Sequence, residues 1–194
     1  PQSGKSVHYR HNPQDLTSLS NDCVYYIHED RSGLLWIGTF GGGNNIFDRR
    51  QERFAHYYAV PGKDGGLLQS TLFGMAEDSE GQIWIATYGG GVARFDPQTG
   101  LFEHYRHNPD DPDSLSADET WSVYVDRRGD VWVGASSGLD RLDRQSGRFI
   151  HYRADRDDPT HLQSSVVRSM IEDSSGTLYA ATDNGLSIYH PESD

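Results

Sequence analysis

Short stretches of alternating apolar and polar residues, each cut off by turn-forming residues, run the length of the chain. In the first complete unit, Val24 to Glu29 has the two-residue period of a half-buried strand. Asp30-Arg31-Ser32-Gly33 follows, with an aspartate to cap a tight turn and a glycine free to take positive φ. Leu35 to Thr39 predicts a second strand, Gly41-Gly42-Gly43 a second turn, and Asn45 to Asp48 a third strand. After Arg49 to Glu52, Phe54 to Tyr58 predicts a fourth. No interval between turn signals is long enough for a helix of a dozen residues, so the elements are strands throughout.

The pattern repeats. The tetrad recurs as Asp78-Ser79-Glu80-Gly81, Asp126-Arg127-Arg128-Gly129 and Asp173-Ser174-Ser175-Gly176, at spacings of 48, 48 and 47 residues. Six positions after each aspartate stands an aromatic residue, Trp36, Trp84, Trp132 or Tyr179, and two further on a small one, Gly38, Ala86, Gly134 or Ala181. His8-Tyr9, His56-Tyr57, His104-Tyr105 and His151-Tyr152 recur in the same register, so residues 1–194 read as one domain of four repeats, about 7–54, 55–102, 103–149 and 150–190. Four short strands in about 48 residues is the arithmetic of a β-propeller blade.

The ends of the chain bear on closure. Val7 to Arg10 reads as an outermost strand and Leu186 to Tyr189 as a third strand, so the first could complete the last blade. That predicts a four-bladed ring from one chain, an eight-bladed ring from two chains exchanging these strands, or a fragment of a larger propeller. Tyr25, Phe73 and Trp121 near the axis would crowd a four-bladed ring, which favours a homodimer.

Composition narrows the partners. A formal charge of −12 with scattered Lys and Arg excludes a nucleic-acid reader. Cys23 is the single cysteine, so no disulfide forms within the chain. No apolar run approaches the roughly 20 residues of a membrane span, and a start at Pro1 without an apolar leader reads as a cut piece of a longer chain.

Repetition argues against chemistry at the repeated residues. His8, His56, His104 and His151 sit on separate outer strands and cannot converge on one zinc ion, and the tetrad aspartates are explained by turn capping. The loop Asp110-Asp111-Pro112-Asp113 lacks the alternating carboxylates and central glycine of a calcium loop. Trp36, Trp84 and Trp132 suit packing between blades. No metal or cofactor site is expected. A ligand site on a pseudo-symmetric ring needs asymmetry, which points to the positions where the copies differ. Near the start of the first strand these are Tyr25, Phe73, Trp121 and Arg168; in the turn after the second strand they are Phe40, Tyr88, Ser136 and Asp183. Aromatic faces with Arg and Asp suit a sugar or small acid. Neither series contains His, against a propeller lyase and against an enzyme generally.

Ser18-Leu19, Asp22, Val24, Ile27, Glu29-Asp30, Gly33, Leu35 to Thr39, Gly42-Gly43, Phe47-Asp48, Phe54 and His56-Tyr57 resemble the two-component regulator propeller repeat almost letter by letter. Asn12-Pro13-Gln14-Asp15 and Asn108-Pro109-Asp110-Asp111-Pro112 resemble its inter-repeat loop; Val60 to Gly66 departs from it in the second unit. The resemblance implies the extracytoplasmic, periplasmic sensor region of a bacterial signalling protein, with a histidine kinase or diguanylate cyclase output elsewhere in the full chain and an oligosaccharide as the plausible ligand. A dimerisation or protein-docking scaffold is the alternative. Rings of that family usually hold more than four blades.

Overall fold

A computed structural model describes residues 4, 6–59, 65–158 and 160–190; part of the departing loop, residues 60–64, lies outside them. Every described element is a strand. The first blade holds β1 (Val24–Glu29), β2 (Leu35–Thr39), β3 (Asn44–Asp48) and β4 (Arg53–Tyr57). The second holds β5 (Leu72–Glu77), β6 (Ile83–Thr87), β7 (Gly91–Asp96) and β8 (Leu101–Tyr105). The third holds β9 (Thr120–Val125), β10 (Val131–Ala135), β11 (Gly138–Asp143) and β12 (Arg148–Tyr152); the fourth has β13 (Val167–Glu172), β14 (Leu178–Thr182) and β15 (Gly185–Tyr189). Strands pair antiparallel in sequence order within each sheet, and inner strands pack side by side, β1 on β5, β5 on β9 and β9 on β13. The chain is an arc of propeller blades.

One expectation about the ends fails. Val7 to Arg10 forms no strand, the fourth sheet has three strands, and β13 does not return to pack on β1, so the one-chain four-bladed ring is not formed. A lone segment gains no ladder hydrogen bonds without an adjacent edge. What remains is packing: Tyr9 lies 5.0 Å from the Phe47 ring and 5.6 Å from Phe54. Tyr57 does the same one blade on, against Phe95 and Phe102.

The cores lie between blades. Trp36 packs with Leu72, Met75, Ile83, Ile85 and Phe95 of the second blade. Trp84 packs with Val123, Val131, Val133 and Leu142 of the third, and Trp132 with Val167, Met170 and Leu178 of the fourth. All three tryptophans are buried, which is the inter-blade role their repetition predicts.

Each tetrad aspartate joins its turn to that core. Asp30 Oδ1 accepts the Ser32 and Leu34 amides while Oδ2 accepts the Trp36 indole N–H at 2.7 Å. The indoles of Trp84 and Trp132 donate likewise to Asp78 and Asp126, and the Tyr179 hydroxyl donates to Asp173. The side-chain bond from Ser175, with amide and Tyr179 donors behind it, holds the Asp173 carboxyl at about 2. For Asp30, burial alone would raise the carboxyl, but donors from Ser32, Trp36 and Leu34 outweigh it and hold it below the usual range. A carboxyl lowered by folding stabilises the native state above its unfolded pKa, and that contribution is lost as pH falls through the folded value. Stability should therefore be flat above about pH 4 from these groups and fall as the pH approaches about 2. Urea midpoints measured across that range check it, and Asp173→Asn should blunt the fall.

Candidate functional site

The divergent residues of the first strand all occupy one special backbone position. Pairing of β1 with β2 shifts register between Val24 and Tyr26, leaving Tyr25 as the extra residue of a β-bulge. Phe73 is the extra residue between Leu72 and Gly74, and Arg168 between Val167 and Ser169. In the third blade Gly134 pairs with Ser122 but Ala135 with Thr120, which leaves Trp121. A bulge breaks the in-and-out alternation and re-aims one side chain. Four blades repeat that break at the same end of neighbouring inner strands.

The turn residues are tied to the same place. The Phe40 amide donates to the Cys23 carbonyl, Tyr88 to Thr71, Ser136 to Glu119 and Asp183 to Val166, in each blade two residues before the bulge residue. Side chains of the two series therefore meet. Tyr25 lies 5.9 Å from Phe40 and 4.9 Å from Phe73. Phe73 lies 6.0 Å from Tyr88 and 4.9 Å from Trp121, and Tyr88 lies 5.5 Å from Trp121. The Arg168 guanidinium sits 4.4 Å from the Trp121 ring centre and grips Asp183 through two bonds of 2.8 and 3.0 Å. Seven of the eight residues singled out from the sequence thus form one continuous strip; Ser136 is tied to the same end of its blade through its amide.

The strip combines π faces with one charged end. Tyr25, Phe40 and Tyr88 are each about half exposed, at 49%, 53% and 49%, while Phe73 and Trp121 are partly buried beneath them. Hydrogen bonding to Arg168 holds the Asp183 carboxyl below the usual range, and the same contact raises Arg168. The pair is solvent-exposed and adds little to stability; its effect is to fix a guanidinium and a carboxylate at the end of an aromatic surface. The Trp121 Nε1 is buried without a hydrogen-bond partner, so its face, not its N–H, is what the strip offers.

The repeated polar residues do structural work elsewhere. The imidazole Nε2 of His56 donates to the Ser18 carbonyl at 2.7 Å, that of His104 to Gly66 at 2.8 Å, and that of His151 to Pro112 at 2.9 Å. Each ties an outer strand to the loop leading into its own blade. In the acidic loop Asp111 accepts the Asp113 amide and Asp113 pairs with Arg148. Among the described residues no group of three or more His, Cys, Asp or Glu is placed to hold a metal ion.

The tetrads and strands of the first two blades coincide with a known repeat: the family described as two component regulator propeller matches residues 18–41 and 66–89. Those two segments are similar to two component regulator propeller repeats. The extracellular domain of the hybrid two component system BT3049 from B. thetaiotaomicron is 29% identical, with a TM-score of 0.77 over 89% of this chain and 24% of that one. That of BT4673 from the same organism is 22% identical, with a TM-score of 0.76 over 95% of this chain and 25% of that one. The chain thus spans about a quarter of either structure. A virginiamycin B lyase from Staphylococcus aureus shares the propeller fold at 15% identity and a TM-score of 0.61, over 90% of this chain and 58% of that one. No curated protein matches the chain.

Proposed function

We propose that this regulator propeller is a ligand-sensing module of a bacterial signalling protein, working outside the cytoplasm, and that its aromatic strip binds a small molecule of the carbohydrate class. The observation that carries the reading is the strip itself: four bulges deliver Tyr25, Phe73, Trp121 and Arg168 to one surface, flanked by Phe40, Tyr88 and Asp183. Sugar rings stack their C–H faces on aromatic planes, and a fixed Arg–Asp pair supplies donors and acceptors for hydroxyls. Likeness to extracellular domains of two component systems supports the setting. The strip lacks a His or a second carboxylate to act as acid and base, so binding rather than catalysis is its role. Sensing then requires the ligand to favour one of two states of the full receptor, through output domains of the kinase or cyclase type. A docking-scaffold reading draws on apolar residues exposed at the ends of the arc, a different surface from the strip.

A thermal-shift screen against neutral and acidic oligosaccharides tests this. A ligand should raise the melting temperature of the wild type, and Trp121→Ala or Tyr88→Ala should abolish the rise while the unliganded melting temperature stays within a few degrees. No response to any saccharide, or a response that survives both substitutions, would count against the site.

A further inference from the structure

The seam between the first and second blades has no counterpart of two arginines that the next seam holds. In the seam between the second and third blades, Arg144 donates to the Asp78 carboxylate at 3.2 Å and reaches Glu80 at 3.5 Å. Asp78 is 0% exposed beneath it. Arg94, paired with Trp84 across β7 and β6, sets its guanidinium 5.7 Å from the indole centre and pairs with Glu80 and Glu103. Arg141 is paired with Trp132 and stands over it in the same way. In the first seam, repeat equivalence puts Pro97 where the third blade has Arg144, and Ile46 opposite Trp36 where Arg94 and Arg141 stand opposite their tryptophans. A groove of about 530 Å³ opens there, against about 330 Å³ at the equivalent place in the next seam.

The groove has acidic and apolar walls: Asp30 and Glu77 supply carboxylates, and Ile46, Tyr57, Phe95 and Pro97 supply apolar surface. Asp30 Oδ2 accepts the Trp36 indole, and among the described residues no cation reaches it. Asp78 Oδ2 takes an indole and a guanidinium together. Three neighbours bear on the charge. Arg31 gives its amide to Glu77 at 2.9 Å, but its guanidinium stands 3.9 Å from that carboxylate, where Arg127 closes on Glu172 at 2.8 Å. His28, opposite Trp36 on β1, is held below the ordinary imidazole value by burial, which outweighs the pull of Glu77 and Asp30, so it adds no charge at neutral pH. Glu80, also on the groove, is already engaged by Arg94 and Arg144. We propose that this seam binds a guanidinium-bearing small molecule of the arginine type, seated where Arg144 sits one blade on. Its methylenes lie along Ile46, Tyr57 and Pro97, and its guanidinium takes the position on Asp30 Oδ2 that Arg144 takes on Asp78. A planar, weakly hydrated guanidinium suits a partly buried carboxylate better than an ammonium does. The site is at the tetrad end of the blades, and the aromatic strip is at the other end of the same inner strands.

The test is a calorimetric titration of the 194-residue chain at low salt with N-acetyl-arginine amide and with its citrulline counterpart, a neutral urea of the same shape. The arginine compound should saturate one site per chain. The citrulline compound should bind at least about tenfold more weakly, the scale of one charged hydrogen bond. Pro97→Arg gives the second blade the Asp-Arg pair that the third has in Asp143-Arg144, and should fill the seam from within. Added arginine compound should then no longer bind, and the unliganded melting temperature should rise. Asp30→Asn keeps an acceptor for the turn amides and the indole but removes the charge, so binding should be lost with circular dichroism unchanged. Trp121→Ala, in the strip, should leave arginine binding as it is. Absence of saturable binding, equal binding of the citrulline compound, or binding that survives Pro97→Arg would overturn the proposal. Loss of binding in Trp121→Ala would overturn it too, by moving the ligand to the strip.

Discussion

Trp84→Ala is expected to lower stability by about 4 kcal/mol, within the range for deleting a fully buried tryptophan. The side chain is 1% exposed and fills the seam between the second and third blades, which are both flanked by neighbours. Its ring lies 5.3 Å from Tyr105 with the Arg94 guanidinium 5.7 Å from its centre. Its N–H is one of the donors to the buried Asp78 carboxylate, which also takes the Glu80 and Gln82 amides and the Arg144 guanidinium. Trp84→Phe keeps most of the packing and removes only that donor, so it should cost less, about 1–2 kcal/mol. A domain stable by 5–15 kcal/mol would be left close to its limit by the first change and not by the second. Urea unfolding measures both. Equal losses would mean that the hydrogen bond, not the filled seam, dominates.

The second large effect is expected at Gly91, where Ala should cost about 3 kcal/mol or more from left-handed strain and overpacking together. Its φ is +70°, and a Cβ built there would stand 2.2 Å from the Tyr105 carbonyl oxygen on the paired strand β8. Neither backbone can move freely: the Gly91 amide donates to the Asp118 carbonyl, and its own carbonyl accepts the hydroxyls of Thr87 and Thr120. The bonds with Asp118 and Thr120 join the second blade to the third. Gly89 is the control, since its φ is +87° but nothing lies within 4 Å of an added Cβ. Gly89→Ala should show the backbone term alone, about 1–2 kcal/mol. Similar denaturation midpoints for the two variants would contradict the close approach.

The blades were legible in the sequence because their signals are local. Alternation, the Asp-to-Gly tetrads and the glycine-rich second turn place β1 and β2 at their observed bounds, and β3 and β4 within a residue. The aspartate-to-indole bond was present as an unexplained spacing of six residues; a strand that leaves a tight turn and folds back brings that position under the carboxylate. Closure was not legible in this way. Val7 to Arg10 has the composition of a strand, but strand formation depends on a neighbouring edge, which the first blade does not offer on that side. The eight divergent positions were found by comparing copies, and their assembly was hidden because a bulge is a mismatch in count between two strands. Nothing in Val24-Tyr25-Tyr26 marks Tyr25 as the unpaired residue until the register against Gly38 and Thr39 is known.

The four tryptophans allow one direct test of the claim that repeated residues build the frame and divergent residues bind. Trp36, Trp84 and Trp132 lie in the seams with their N–H groups on tetrad aspartates, whereas Trp121 lies in the strip under Arg168. Each contributes one indole N–H signal to a proton–nitrogen correlation spectrum. Titration with a saccharide that stabilises the protein should move the Trp121 signal and leave the other three in place. A ligand that shifts a seam tryptophan while Trp121 stays still would contradict the account.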